Sequence, residues 1–301
     1  MDLDISDKSL PVFAALDSKV RVQIIQLLSK QKMNVSEIAQ AIGLSSPITI
    51  MHLNKLRDAN LIRTEKQGNQ RISSLQVDKI NITFPKQLYI PYENWQVELP
   101  IGQFTDFDVQ PSCGLAGQTG FIGKVDNPSY FMDPERSEAG MLWFAKGFVE
   151  YKVPNYLASN QQLEMIELSA ELSSEFPFSN NNWPSDISVS LDGHNIGVWT
   201  SPGDFSDVRG RYTPKWVYND MNQYGMLKSF RISKHGSFID GQYAAETTIA
   251  DIDTTKASWT LRFEVKDSAK NVGGCTIFGN KFGNHDQGIK GLFYFSDTTL
   301  G

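Results

Sequence analysis

The chain has 301 residues and a formal net charge of −6, from 28 Lys+Arg and 34 Asp+Glu. That length exceeds most single domains and points to two, while no apolar run approaches the ~20 residues needed to cross a bilayer. Two cysteines far apart, Cys113 and Cys275, exclude both a disulfide framework and a cysteine-spaced metal site. The charge is uneven. Residues 1–85 carry eleven basic and eight acidic side chains, for +3, and the remainder carries 17 and 26, for −9. A phosphate-backbone partner therefore belongs to the first part, because the acidic remainder would repel it. The opening "MDLDISDKSL" is acidic and polar, unlike a secretory leader, so a cytoplasmic location is expected.

From about residue 10 to 60 the apolar residues recur at helical spacing. Val20, Ile24, Leu27 and Leu28 form one stripe, with Val22 and Ile25 beside it. In "NVSEIAQAIG", Ser36 reads as the N-cap of a second helix, with Ile38, Ala39 and Ile42 inward and Gly43 as the stop. Ser45 or Ser46 caps a third helix, with Pro47 in its first turn, where the missing N–H costs nothing. That helix should end near Ala59–Asn60, and Asn60 can take a left-handed conformation. "LIRTEKQGNQRISSLQV" then reads as a hairpin turning at Gly68–Asn69. Two helices across a short turn followed by a polar-tipped hairpin make a winged helix-turn-helix, assigned to residues 1–84.

From about residue 85 the rhythm becomes that of strands. The runs "QLYIPY", "WQVELPI", "MLWFAKGFVEYKV", "LEMIELSAELSSEF", "DISVSL", "NIGVWT", "SWTLRFEVK" and "KGLFYF" are β-rich, and several alternate. Asp192–Gly193 and Asp240–Gly241 are hairpin turn signals. Residues 85–301 are expected to form one all-β, jelly-roll-like sandwich, so the whole is an α+β multidomain chain. The segment "INITFPKQLYIPY", with two prolines, reads as a short, stiff connection.

The stretches "ALDSKVRVQIIQLL", "NVSEIAQAIGLS" and "HLNKLRDANLI" together resemble the ArsR family of winged-helix regulators across roughly residues 12–76. The resemblance implies a homodimer that binds double-stranded operator DNA and represses or activates in response to a ligand. Founding members sense metals through paired cysteines on the helix before the recognition helix. Here that helix is "SEIAQAIG", without Cys or His, so no metal and no cofactor is expected. "NNNWPSDISVSLDGHNIGVWTSPGDF", "RGRYTPKW", "NQYGMLKSFRIS" and "GGCTIFGNKFGN" resemble a sandwich domain fused to some ArsR-type regulators. By fold-level analogy that domain would take a small effector, with a carbohydrate the leading class.

On the third helix, Thr49, Leu53 and Leu56 share an inward face with His52 beside them. Pro47, Met51, Asn54, Lys55 and Asp58 lie opposite, and Ile48 and Ile50 flank. The expected DNA contacts are Ser45, Ser46, Pro47, Ile48, Thr49, Met51, His52, Asn54 and Lys55, with Lys66 and Arg71 in the wing. Related sequences tend to place Thr and Arg where Ile50 and Met51 stand. These two apolar side chains either pack on thymine methyls or meet a protein surface.

Of the six tryptophans, Trp95, Trp143 and Trp259 fall in alternating strands and are expected in the core. Trp183, Trp199 and Trp216 fall near loops and are candidates for an effector site. Asn182, Asp204, Arg209, Arg211, Gln223 and Tyr224 would supply its polar contacts. The glycines of "GGCTIFGNKFGNHD" lack a phosphate-loop context and signal close backbone packing; Asn280, Asn284, His285 and Asp286 are candidates for the same mouth. No HExxH or GxSxG is present and His194, His235 and His285 are scattered, so no catalytic residue is assigned and a non-enzyme is expected. The alternatives are a sandwich that serves as a protein-interaction or oligomerisation module, and a carbohydrate-active enzyme.

Overall fold

The computed structural model describes residues 1–67, 70–83 and 92–298. The turn at Gly68–Asn69, the run "QLYIPY" apart from its last residue, and most of the expected connection lie outside the described residues. The chain divides into two compact units, Met1–Tyr89 and Ile90–Gly301.

The first unit runs β1 (Asp2–Asp4), α1 (Leu10–Leu16), α2 (Lys19–Leu28), β2 (Met33–Asn34), α3 (Val35–Ile42), α4 (Ser46–Asp58), β3 (Ile62–Gln67), β4 (Gln70–Leu75) and β5 (Asn81–Thr83). Strands β2, β4 and β3 form the wing sheet in that order, and β1 pairs parallel with β5. Ile24, Leu28, Ile38, Leu53, Leu56, Leu61 and Ile62 make the core. The cap of α3 is Asn34, not Ser36. Asn34 Oδ1 accepts from Glu37 N at 3.0 Å, and Glu37 Oε2 accepts from Asn34 N at 2.8 Å. An Asn three residues before a Glu satisfies two orphan helix donors at once, which a serine at position 36 cannot do. Gly43 ends α3 at φ 69°, and Asn60 follows α4 at φ 56°, both left-handed as expected.

Arg21 was not singled out by the sequence, yet it fastens α1. The side chain is buried and donates to Ala15 O at 2.6 Å, Ala14 O at 2.7 Å and Asp17 O at 3.2 Å, the terminal carbonyls of that helix. Charge-assisted bonds to orphan carbonyls are among the stronger ones. Arg21→Ala should cost the first unit about 2–3 kcal/mol, read as a lower melting temperature; an unchanged melt would show that these bonds carry no net stability.

The second unit runs β6 (Glu93–Leu99), β7 (Asp106–Ala116), β8 (Phe121–Ile122), β9 (Met141–Pro154), β10 (Gln161–Ser173), β11 (Ser185–Leu191), β12 (His194–Ser201), β13 (Met226–Ser233), β14 (Gly236–Ile239), β15 (Gln242–Ala245), β16 (Ser258–Val265), β17 (Cys275–Phe278) and β18 (Ile289–Asp297). One side is ordered β12-β11-β16-β9-β7-β8, the other β15-β14-β13-β10-β18-β6. Strand β17 pairs with both β9 and β10 and joins the two halves of the sandwich. Burial alternates along β11, β16 and β18, so Ile187, Val189, Leu261, Phe263 and Phe293 meet between the layers. Trp259 is fully buried and Trp143 nearly so, while Trp95 is half-buried and stacks on Phe293 at 5.0 Å. Asp192 and Gly193 (φ 54° and 85°) turn β11 into β12, and Asp240 and Gly241 (φ 50° and 82°) turn β14 into β15. Two successive positive φ values are what a two-residue hairpin demands.

Strand β7 is the largest element that the sequence did not signal. It contains Pro111, which reads as a strand breaker, but the register shifts between Gln110 and Cys113, so the proline sits in a bulge. Cys113 and Cys275 are free and buried.

Candidate nucleic-acid interface and effector cavity

Helix α4 buries and exposes its faces as the apolar spacing requires. Thr49, Leu53 and Leu56 are buried, and Ser45, Ser46, Pro47, Ile48, Ile50, Met51 and Lys55 are exposed. Asn54 and His52 are half-buried. Thr49 corrects one expectation: it has no exposed surface and its hydroxyl donates to Ser45 O at 3.0 Å, so the helix consumes the group that would have met a base. His52 Nδ1 is buried without a hydrogen-bond partner. Burial, then the charges of Arg21 and Lys55, hold the His52 pKa below its ordinary value, which keeps the ring neutral at pH 7. In the wing, Lys66 and Arg71 stand opposite each other across β3 and β4, and both are exposed. Ser45, Ser46, Asn54 and Lys55 supply polar and basic groups on the helix, and Lys66 and Arg71 supply them on the wing. Ile48, Ile50 and Met51 are exposed on the same helix, Met51 at 50%, with Ile48 and Ile50 on opposite flanks.

The second unit holds a cavity of about 180 Å³. Its depth is polar: Glu175, Asn222 and Thr276 are buried there, and Ser112 is half-buried. Its walls are Trp143, Met141, Phe176 and Met221, and its lip is formed by the exposed Phe121, Val125, Asp126 and Phe178. Ser112 Oγ donates to Glu175 Oε1 at 2.5 Å, and Thr276 Oγ1 lies 3.5 Å from Oε2. Asn222 Nδ2 pins the floor through Ser173 Oγ at 2.7 Å, Thr276 Oγ1 at 3.1 Å and Ser174 O at 3.2 Å. Burial pushes the Glu175 carboxyl up to about 8, and burial together with the neighbouring Glu175 pushes Asp204 up to about 9.

The tryptophans expected at an effector site divide. Trp216 packs on Phe121 at 5.0 Å and Trp183 on Phe176 at 4.8 Å, so each stands one ring behind the cavity lining. Trp199 lies on β12 with the Lys228 ammonium 4.9 Å over its ring. Asp204 is fully buried, accepts from Phe176 N at 3.1 Å through Oδ2, and leaves Oδ1 unpartnered. The remaining polar candidates have structural bonds. Arg209 donates to Pro214 O, Val217 O and Asn219 Oδ1 at 2.8–3.0 Å, and Gln223 Nε2 donates to Tyr218 O and Met221 O. Tyr224 stacks on Phe205 and reaches Asp207. Arg211 and Asn182 are exposed. Asn284 and His285 give their backbone N–H groups to Glu171, Asn280 reaches Glu98, and Asp286 accepts from Lys281 N.

None of the residues that line the cavity was a candidate in the sequence reading, which placed Trp143 in the core. Only Glu175 carried a signal: it continues the phase of Glu171 and Ser173 at the end of a long alternating strand.

No helix of the described residues is long and apolar enough to cross a membrane, and no group of three His, Cys, Asp or Glu among them could hold a metal. A second depression, of about 240 Å³, lies on β9, β11 and β16, lined by Glu150, Ser188, Ser190, Arg262 and Glu264 among others. Its charges are matched, with Arg262 2.6 Å from Glu150.

The family described as bacterial regulatory protein, arsR family, matches residues 18–64. The chain is 34% identical over 77 residues to the HTH-type transcriptional regulator KmtR of Mycobacterium tuberculosis, covering 23% of this chain and 59% of that protein. It is 41% identical over 51 residues to the uncharacterized HTH-type transcriptional regulator MJ0229 of Methanocaldococcus jannaschii, covering 17% and 54%. The chain thus spans little more than half the length of these relatives. Among solved structures, NolR of Sinorhizobium fredii is 30% identical over 23% of this chain and 69% of that one, with a TM-score of 0.22. Residues 18–64 are therefore an ArsR-family helix-turn-helix domain, the centre of a winged-helix unit that precedes a large β-sandwich.

Proposed function

We propose that this protein is a homodimeric, DNA-binding transcription regulator whose jelly-roll-like sandwich senses a small effector of the carbohydrate class. The observation that carries the DNA-binding part is the ArsR-family domain with the α4 face open: the family match covers α2, α3 and α4, and both relatives are named as transcriptional regulators. Lys55 on the helix and Lys66 and Arg71 in the wing would take phosphates, and the N-terminal turns of α4 would meet base edges. Two such heads, one per protomer, would read half-sites about one helical turn apart, so an effector that changed their spacing would change affinity. The effector part rests on the cavity, whose aromatic walls and polar floor suit a small hydroxylated molecule.

Electrophoretic shifts on genomic fragments, followed by footprinting, test the first part. Binding should fall steeply with salt, and Lys55→Ala or Arg71→Ala should weaken it uniformly and lower the salt slope by about one each. If both variants bind a footprinted site with the wild-type slope, these side chains do not touch the backbone.

A further inference from the structure

The cavity between β7, β9, β17 and the end of β10 is lined by carboxyl groups and by no cation. Three carboxylates elsewhere in the β unit are ion-paired: Asp240 with Lys228 at 2.7 Å, Asp192 with Lys256 at 2.5 Å, Glu150 with Arg262 at 2.6 Å. Glu175 is nine-tenths buried on the cavity floor and Asp126 stands at its lip, and neither has an ion-pair partner among the described residues. No Lys, Arg or His is among the described residues that line the cavity. Asp204 is wholly buried beside Glu175 and its Oδ1 accepts nothing; the hydroxyl of Ser174, the residue before Glu175, is likewise buried and unpartnered. A buried carboxyl without a cation keeps its proton, and an arriving cation can pair with it as it ionises.

The walls have the complementary property. Phe121, Trp143, Phe176 and Phe178 surround the floor, and Phe121 meets Trp143 edge-on at 5.9 Å. Aromatic faces attract cations and offer anions nothing. The lip is open, with Phe178 73% exposed, so a ligand can enter from solvent. At about 180 Å³ the space falls below the ~300–1,000 Å³ of pockets for drug-sized molecules, so its occupant is small.

We infer that this cavity binds a compact organic cation, a protonated amine on a small ring or chain, with its ammonium against Glu175 and its body between Trp143, Phe121 and Phe176. The inference rests on reading the β unit as an effector sensor and narrows that reading from carbohydrates at large to amine-bearing ones or small ring amines. An anion would face Glu175 and Asp126 with nothing to balance it. A neutral sugar would leave Glu175 protonated and gain no charge pairing from it.

Isothermal titration of the full chain with four probes tests this. Glucosamine is the cationic sugar, glucose its neutral parent, glucuronate its anionic relative, and cyclohexylamine a ring amine without hydroxyls. Glucosamine should bind at least about tenfold more tightly than glucose, and glucuronate should not bind. Glu175→Gln, an isostere that keeps the floor filled, should reduce glucosamine binding about tenfold or more; Asp126→Asn at the exposed lip should reduce it less. Cyclohexylamine binding as well as glucosamine would place the amine outside the sugar class and keep the inference. Glucose binding as tightly as glucosamine would overturn it while leaving the sensor reading intact, and so would unchanged glucosamine affinity in Glu175→Gln. No binding by either amine would overturn it outright. Operator shifts run on the same samples separate the two readings: amine binding without DNA binding would remove the regulator and leave the cavity.

Discussion

Raising the pH from 5 to 9 should destabilise the β unit by several kcal/mol, and Glu175→Gln should remove a large part of that loss. Three buried carboxyls set the direction. Burial raises Glu171 to about 7, Glu175 to about 8 and Asp204 to about 9. Each folded value lies above the unfolded one, so the folded state holds these protons more tightly. Their contribution is full below about pH 4 and is lost as the pH climbs through 7, 8 and 9. One pKa unit is worth about 1.4 kcal/mol, so Glu175 alone is worth of order 5 kcal/mol. The groups facing it reinforce the sign. Asp126 and Asp204 are acidic, and burial pushes the thiols of Cys113 and Cys275 up, Cys113 to about 11, so none supplies a positive charge.

Below pH 4 the slope reverses. Asp186, hydrogen-bonded by Asn271 and Thr200, and Asp251 and Asp253, capped by Thr248 and Thr255, all titrate below their ordinary range and lose their bonds on protonation. The optimum should therefore fall near pH 4. Thermal melts at pH 5, 7 and 9 check this. A flat profile, or a Glu175→Gln variant less stable than wild type at pH 9, would show that the carboxyl finds compensation in the fold.

The pH dependence could not have been read from the sequence, for a reason visible in β10. Glu167, Ser169, Glu171 and Ser173 occupy the outward phase of an alternating strand, which reads as a solvated face. Loops from distant parts of the chain cover its far end: Gly225, Asn284 and His285 all donate backbone N–H groups to Glu171. Gly283 lets that loop close, since a Cβ there would lie 2.4 Å from a Glu171 oxygen. Local signals fared better. Helices α2–α4, the two Asp-Gly hairpins, the long strands β9 and β10 and the buried Trp143 and Trp259 were all legible, because period, caps and turn residues act over a few residues. Strand β7 and the cavity floor were not, because a bulge hid the first and the second is assembled from segments more than 150 residues apart. Trp183 and Trp216 mark the difference. Their loop contexts made them candidates, but the rings that line the cavity are Phe121, Trp143, Phe176 and Phe178.

If the chain is the regulator proposed above, Met51→Arg should change which base it reads. In the wild type, Met51 and Ile50 stand half exposed on the N-terminal half of α4 beside Ile48. Apolar side chains there can meet only the thymine methyl group in the major groove, so the wild-type site should carry A·T pairs under them. An arginine at position 51 would instead offer two N–H donors to guanine O6 and N7, a discrimination of about 1–3 kcal/mol per contact. In the proposed dimer the substitution acts at both half-sites. The preference would then move by about 2–6 kcal/mol, from some thirtyfold to more than ten-thousandfold. Selection from a randomised DNA pool with wild type and variant reads this as a switch from A·T to G·C at one symmetric pair of positions. The competing account is that Ile48, Ile50 and Met51 are covered by protein, since exposed apolar clusters usually have a partner. It predicts an unchanged DNA preference and an altered mass in sedimentation, because a buried guanidinium without an acceptor would break the contact. The two readouts move in opposite senses, so one variant decides between a helix that reads thymines and a helix that docks on protein.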